Sequence, residues 1–155
     1  MATKETPATR AARTAGVEFA VHEYEHDPRA ESFGLEAAEA LGLDPARVFK
    51  TLVVDVAGEL TVCVLPASSQ LDTRSLGKRV SLAQTQRAER VTGYVAGGIS
   101  PLGQRRALPT LIDASAAEFS TIYVSAGRRG LEIELSPDDL RSLTGATVRP
   151  LQAAG

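Results

Sequence analysis

Short runs of apolar and β-branched residues at 17–24, 47–56, 59–66, 108–112, 121–125 and 131–135 predict six strands, each bounded by glycine, proline or polar residues. Ala57-Gly58 joins the second and third as a tight hairpin, and Gly127-Arg128-Arg129-Gly130 separates the last two. Helices are marked by their ends. Thr6 is an N-cap followed by Pro7 at the first helical position, with Gly16 closing that helix near Ala15. After the turn His26-Asp27-Pro28, Ser32 caps a helix over 33–41 that stops at Gly42, and Ser136-Pro137-Asp138-Asp139 opens a last helix that stops at Gly145. Helices are also expected over 73–77 and 83–90, with a helical turn at 114–118. No repeat, low-complexity tract or linker interrupts the pattern. It predicts one α+β domain over 1–155, with enough strands to curl into a small mixed β-barrel surrounded by helices.

Two features stand out from this pattern. Lys50 lies within Val48-Phe49-Lys50-Thr51-Leu52-Val53-Val54, a run that reads as a buried strand. Strand alternation puts Lys50 on one face with Val48, Leu52 and Val54, where a desolvated ammonium needs a partner or a function. The plainer alternative is a lysine on a solvated face. The second feature is Gly93-Tyr94-Val95-Ala96-Gly97-Gly98-Ile99-Ser100-Pro101-Leu102-Gly103. Glycines let a backbone approach a ligand and aim successive N–H groups at an anion, although a glycine pair alone mostly marks a turn. A buried cation and a glycine-rich loop together point to a site for an oxygen-rich group.

Composition narrows the setting. The chain has 155 residues, 43% hydrophobic and 23% charged, as expected of a soluble domain with its own core. The stretch from Met1 to Ala15 is polar and bears arginine, so no signal peptide is expected, and no apolar run is long enough to span a bilayer. One cysteine, Cys63, excludes an internal disulfide and offers no metal-ligand spacing, and the expected location is the cytoplasm. A net charge of −2 argues against a protein that coats nucleic acid by charge alone. The first 70 residues are net acidic and the rest net basic, with the pairs Lys78-Arg79, Arg105-Arg106 and Arg128-Arg129. That asymmetry suits solvated surface charge, or contact with only the tip of a nucleic acid.

Generic catalytic patterns are missing. His22 and His26 are the only histidines; spaced across a strand end, they read as ordinary surface residues rather than metal ligands. There is no Gly-x-Ser-x-Gly motif, and Cys63, inside Leu60-Thr61-Val62-Cys63-Val64, reads as a small packed hydrophobe. The chain shows no obvious nucleophile.

Several strings carry a family resemblance: Tyr24-Glu25-His26-Asp27, Phe33-Gly34, Val48-Phe49-Lys50-Thr51-Leu52, Thr92-Gly93-Tyr94, Gly97-Gly98-Ile99-Ser100-Pro101-Leu102-Gly103-Gln104, Leu108-Pro109-Thr110, Ile122-Tyr123-Val124-Ser125 and Arg129-Gly130-Leu131. From about residue 6 to residue 143 the chain resembles the YbaK/EbsC family, in particular its free-standing Cys-tRNA(Pro) deacylases, relatives of the editing domain inserted in bacterial prolyl-tRNA synthetases. The resemblance implies a small mixed barrel wrapped by helices and a trans-editing hydrolase that clears mischarged tRNA(Pro). Matched position by position, Lys50 corresponds to the family's essential lysine. Tyr24, Phe33, Thr51, Pro101 and Ser125 fall in pocket-lining segments, and Gly97, Gly98 and Ile99 in the backbone loop. Glu132 stands where an aspartate is expected and joins the substrate-binding set; the stretch 71–90 is shorter than the family's.

The implied mechanism accounts for the missing nucleophile. The substrate's own cysteine thiol attacks its ester carbonyl, forms a thiolactone and releases the terminal adenosine, so the enzyme positions groups and stabilises charge. No metal and no cofactor is expected. The expected partners are the aminoacylated 3′ end of tRNA(Pro) and prolyl-tRNA synthetase, which would supply the tRNA selectivity that a weakly charged chain lacks. Two alternatives remain open from the sequence: a deacylase for another misacylated tRNA such as Ala-tRNA(Pro), and a catalytically silent module that binds a tRNA end or a synthetase.

Overall fold

Helix ends form where their capping residues dictate. In α1 (Pro7–Ala15) the Thr6 hydroxyl accepts from Thr9 N at 3.2 Å while Thr9 Oγ1 accepts from Thr6 N at 2.8 Å, a reciprocal capping box. Ser32 caps α2 (Phe33–Leu41), and Gly42 ends it at φ 68°. α3 (Thr85–Thr92) starts two residues later than expected, has no side-chain cap, and stops at Gly93. α4 (Pro137–Thr144) takes its cap from Ser136, whose hydroxyl accepts from Asp139 N at 3.1 Å, and carries Asp138 and Asp139 in its first turn. The expected helix at 73–77 is a 3₁₀ turn, Thr73–Leu76. The computed structural model describes residues 5–30 and 32–154, so the expected domain limits at Met1 and Gly155, and the start of the polar amino-terminal stretch, lie outside the described residues.

Eight strands are present among the described residues, not six: β1 (Phe19–Glu23), β2 (Phe49–Val56), β3 (Glu59–Pro66), β4 (Val80–Leu82), β5 (Thr110–Asp113), β6 (Ile122–Arg128), β7 (Leu131–Leu135) and β8 (Thr147–Arg149). The additional strands, β4 and β8, have three residues each, too few to show a period. Hydrogen-bonded ladders form two sheets, an antiparallel β1-β7-β6 and a mixed β4-β2-β3-β5-β8. The two ladders do not join into one closed sheet among the described residues. A single parallel bridge, Val48 to Tyr123, links the sheets, and pairing stops after it.

Alternation on β7 divides the interior. Leu131, Ile133 and Leu135 face the main core with Ile122 and Val124 of β6, Val62 and Val64 of β3, and Leu140 of α4, closed by Ala8 and Ala12 of α1. Each fully buried Leu or Ile here contributes about 1.5–3 kcal/mol relative to exposure. Glu132 and Glu134 point to the opposite face of β7, where α2 packs Ala37 and Ala38 on Val48 and Tyr123. Two acids thus lie on the face that α2 covers only in part.

Residues 151–153 fasten the mixed sheet to the loop after β3. Leu151 is fully buried with Val54, Cys63 and Leu65, its N–H donates to Asp113 Oδ1 at 2.7 Å, and its carbonyl accepts from Asp72 N at 2.7 Å. Ala153 N donates to Gln70 O at 2.8 Å, and the Ser69 hydroxyl donates to Gln152 Oε1 at 2.7 Å. Burial alone would push the Asp113 carboxyl up, but donors from Ser115, Gln152 and Leu151 outweigh it and hold the group below its ordinary value. A depressed folded pKa gives stability that is present above the unfolded value of 3.8 and is lost as pH falls below it. Asp113→Asn should flatten the acid limb of the stability curve below about pH 4, read as melting temperature against pH; an unchanged acid limb would remove Asp113 from this role.

Candidate functional site

The site begins where β2 loses its neighbour. β4 pairs with β2 at Val54, Asp55 and Val56, and Ala83 N just beyond it donates to Val53 O at 2.9 Å, so the open edge of β2 is confined to residues 49–52. At the other end of this edge β6 departs after the Val48–Tyr123 bridge. A cavity of about 420 Å³ occupies this gap. Its wall includes Phe49, Lys50, Thr51, Leu52 and Val53 from β2, Ser125 and Glu132 from β6 and β7, Phe33 and Gly34 from α2, and Ala96, Gly97 and Ile99 from the glycine loop. Tyr24 closes one side, its N–H donating to Gly130 O at 3.0 Å.

Lys50 is half-buried rather than buried. It shares a side with Leu52 and Val54 as alternation requires, but Val48 precedes the strand and packs under α2. The ammonium donates to the carbonyl of Ser69 and has no carboxylate partner among the described residues. Its pKa is lowered by desolvation. A neutral acceptor orients the ammonium without cancelling its charge, and two of its three donors remain for a ligand.

Glu132 is 6% exposed, lines the cavity, and has no hydrogen-bond partner among the described residues. Desolvation raises its carboxyl to about 8, so near neutral pH it is an uncharged acid able to donate as well as accept. Nearby, the Tyr24 hydroxyl is pushed up to about 12, first by burial and then by the Glu132 carboxylate. Thr51 Oγ1 is buried without a partner. Ser125 Oγ accepts from Gly127 N at 3.2 Å.

The glycine loop behaves differently from expectation. A Cβ at Gly98 would meet Arg128 Cα at 2.7 Å, and the Gly98 N–H donates to Val95 O at 2.9 Å. Gly98 thus serves packing on the β6–β7 turn and has no free N–H for a ligand, and it is absent from the cavity wall. Pro101 is likewise buried away from the cavity. Gly97, at φ +89°, stays at the wall beneath Phe33 and Arg129; a Cβ there would lie 2.8 Å from Phe33 Cε2. The other expected residues, Tyr24, Phe33, Lys50, Thr51, Ile99, Ser125 and Glu132, do meet at the cavity.

Neither histidine is the free surface residue expected. His22 Nε2 lies 2.9 Å from Glu134 Oε1, and His26 Nδ1 lies 2.8 Å from Glu36 Oε1, which ties the loop after β1 to α2. Cys63 is fully buried in the core, with burial raising its thiol to about 11. No histidine or cysteine lines the cavity, and among the described residues no group of three His, Cys, Asp or Glu side chains is placed to hold a metal. Sequence reasoning missed Ser69, whose contribution is a backbone carbonyl, and Leu82 on the short β4. Gly34 was quoted only as part of a motif; a Cβ there would meet Ala67 Cβ at 2.7 Å.

A model described as the aminoacyl-tRNA editing domain matches residues 28–143. A protein of Enterococcus faecalis, provisionally named Cys-tRNA(Pro)/Cys-tRNA(Cys) deacylase EbsC, is 41% identical over 115 residues, covering 69% of each chain. A crystal structure provisionally described as a trans-editing enzyme for prolyl tRNA synthetase superposes with a TM-score of 0.86 at 24% identity, over 99% of each chain. Another, of hypothetical protein APE2540, has a TM-score of 0.83 at 26% identity, over 96% of this chain and all of the other.

The raised carboxyl of Glu132 sets a test. Between its unfolded value of 4.5 and its folded value of about 8 the native state holds the proton more tightly, so stability falls as pH rises through that window. Glu132→Gln should be close to neutral near pH 4 and should raise the melting temperature by several degrees near pH 9. Parallel melting curves across the whole range would show that Glu132 is not held as a neutral acid.

Proposed function

The chain belongs to the aminoacyl-tRNA editing domain family, and from that premise we propose that it is a deacylase that removes cysteine from mischarged Cys-tRNA(Pro) in trans. The observation that carries the reading is Lys50, an ammonium held by a carbonyl in a cavity whose wall has no histidine or cysteine. Such a site fits a reaction in which the enzyme supplies charge and position while the substrate supplies the nucleophile.

In the proposed reaction the substrate thiol sulfur bonds to the ester carbonyl carbon, and the bond from that carbon to the ribose oxygen breaks. The thiol proton ends on the released ribose hydroxyl, and the cysteine leaves as a thiolactone that water opens later. Lys50 stabilises the negative charge that gathers on oxygen during attack. Thr51, Ser125 and neutral Glu132 offer hydrogen bonds to the aminoacyl group, and Tyr24, Phe33, Gly97 and Ile99 shape its space.

Partners follow the same reading. With a net charge of −2 the chain has little grip on a whole tRNA, so it takes the acylated 3′ end and relies on prolyl-tRNA synthetase for tRNA selectivity. A cytoplasmic location and one editing domain over the chain belong to this proposal; among the described residues no helix is long and apolar enough to cross a membrane. Barrel-like closure of the two sheets also belongs here, supported by the Val48–Tyr123 bridge.

The test compares substrates that differ at one atom. Cys-tRNA(Pro) should be cleaved well, Ser-tRNA(Pro) far more slowly because a hydroxyl is the poorer nucleophile, and Ala-tRNA(Pro) slowest because it has none. Comparable rates for all three would replace cyclisation by attack of water, and retention of Cys-tRNA(Pro) without release would mark a binding module. Lys50→Ala should fold and lose about 100-fold or more in kcat/KM; near wild-type turnover would displace Lys50 from the site.

A further inference from the structure

Arg129 sits at the edge of the cavity in an arrangement that the deacylase reading leaves unused. Its guanidinium lies 4.5 Å from the centroid of the Phe33 ring, and Nη2 donates to Ala96 O at 3.0 Å. Phe33 and Ala96 line the cavity, as does Gly97, whose Cβ position would lie 3.0 Å from that same Nη2. A side chain at position 97 would displace this guanidinium, so with glycine there the arginine lies directly against the loop backbone. Arg129 is nonetheless exposed and has no carboxylate partner among the described residues. Arg128 beside it is paired with Glu23 at 3.6 Å, as Arg87 is with Asp55 at 3.0 Å and Arg47 with Glu134 at 3.4 Å.

We propose that Arg129 binds the phosphodiester that precedes the terminal nucleoside of an aminoacylated RNA 3′ end, at the mouth of the cavity. The ligand's identity rests on the deacylase reading; the geometry is independent of it. The Phe33 ring and the bond to Ala96, which uses one of the five N–H donors, hold the guanidinium in place. The remaining fork matches two phosphate oxygens, and its full charge is uncompensated because its acceptor is neutral. Lys50 inside the cavity is held in the same manner, by the Ser69 carbonyl. In the proposed pose the terminal ester lies beside Lys50 and the last phosphodiester beside Phe33 and Ala96, which line the same cavity as Lys50. In a chain of net charge −2, one well-oriented cation at this place counts for more than general attraction.

The experiment measures binding of the trinucleotide CCA, of adenosine and of inorganic phosphate to the wild-type chain and to Arg129→Gln and Arg129→Lys, by calorimetry with melting curves as the folding control. Arg129→Gln should weaken CCA binding about tenfold, leave adenosine unchanged, and reduce the dependence of log K on log salt by about 0.7. Arg129→Lys should recover part of the loss. In turnover, KM for the acylated tRNA should rise with little change in kcat, while a 3′-aminoacyl adenosine, which lacks the phosphodiester, should be cleaved as before. Equal losses for CCA and adenosine would reduce Arg129 to a prop for Phe33 and overturn the proposal, as would no loss at all. Inorganic phosphate binding as tightly as CCA would assign the site to free phosphate instead. The binding arms need no turnover, so even a chain that failed to deacylate any tRNA would reveal whether Arg129 holds the phosphodiester.

Discussion

Everything at the site follows from where β2 stops being paired. A strand edge exposes backbone donors and acceptors that demand partners, and proteins ordinarily cover or blunt it. Here β4 covers the last part of β2, and the Val48–Tyr123 bridge brings β6 against its start. Between them the edge is left open for less than a handful of residues, and Lys50 and Thr51 fall within it. The cavity is thus a gap in hydrogen bonding before it is a gap in packing. Its polar groups include the Thr51 hydroxyl, which is buried without a partner.

Charge at the site is organised by what is withheld. A carboxylate beside Lys50 would satisfy the ammonium and leave nothing for a ligand, whereas a carbonyl orients it and keeps its field. Among the described residues the one carboxyl in the wall, Glu132, is made neutral by burial and so does not cancel that field near neutral pH. Farther along the same face of β7 the partly buried Arg47, Glu134, Thr121 and His22 bond to one another. The same residue types are balanced where they hold the fold together and left unbalanced around the cavity.

The helix ends and the longer strands were legible because their signals are local: Thr6, Ser32 and Ser136 each cap the helix that follows, and Gly16, Gly42 and Gly145 each end one. β4 and β8 were not legible, since three residues carry no period and each is held by pairing with a distant strand. Most of the residues named from motifs line the cavity, while two of them do not. Gly98 and Pro101 belong to the loop's packing, and a sequence does not distinguish a glycine that admits a ligand from one that admits its own backbone. Ser69 was invisible for a deeper reason. Its carbonyl holds Lys50, and every residue type has a carbonyl.

The fastening of the loop after β3 by residues 151–153 has a consequence for how the molecule comes into being. That loop presents the carbonyl that orients Lys50, and it is gripped by Leu151, Gln152 and Ala153. During synthesis β2 and β3 can zip together as soon as both have emerged, because their hairpin is local. The loop next to them has local bonds of its own, Ala67 N to Val48 O and Ser69 N to Pro66 O, but its grip by residues 151–153 joins segments some eighty positions apart. The carbonyl that orients Lys50 thus rests in part on contacts distant in the sequence, which a nascent chain can complete only after the hairpin.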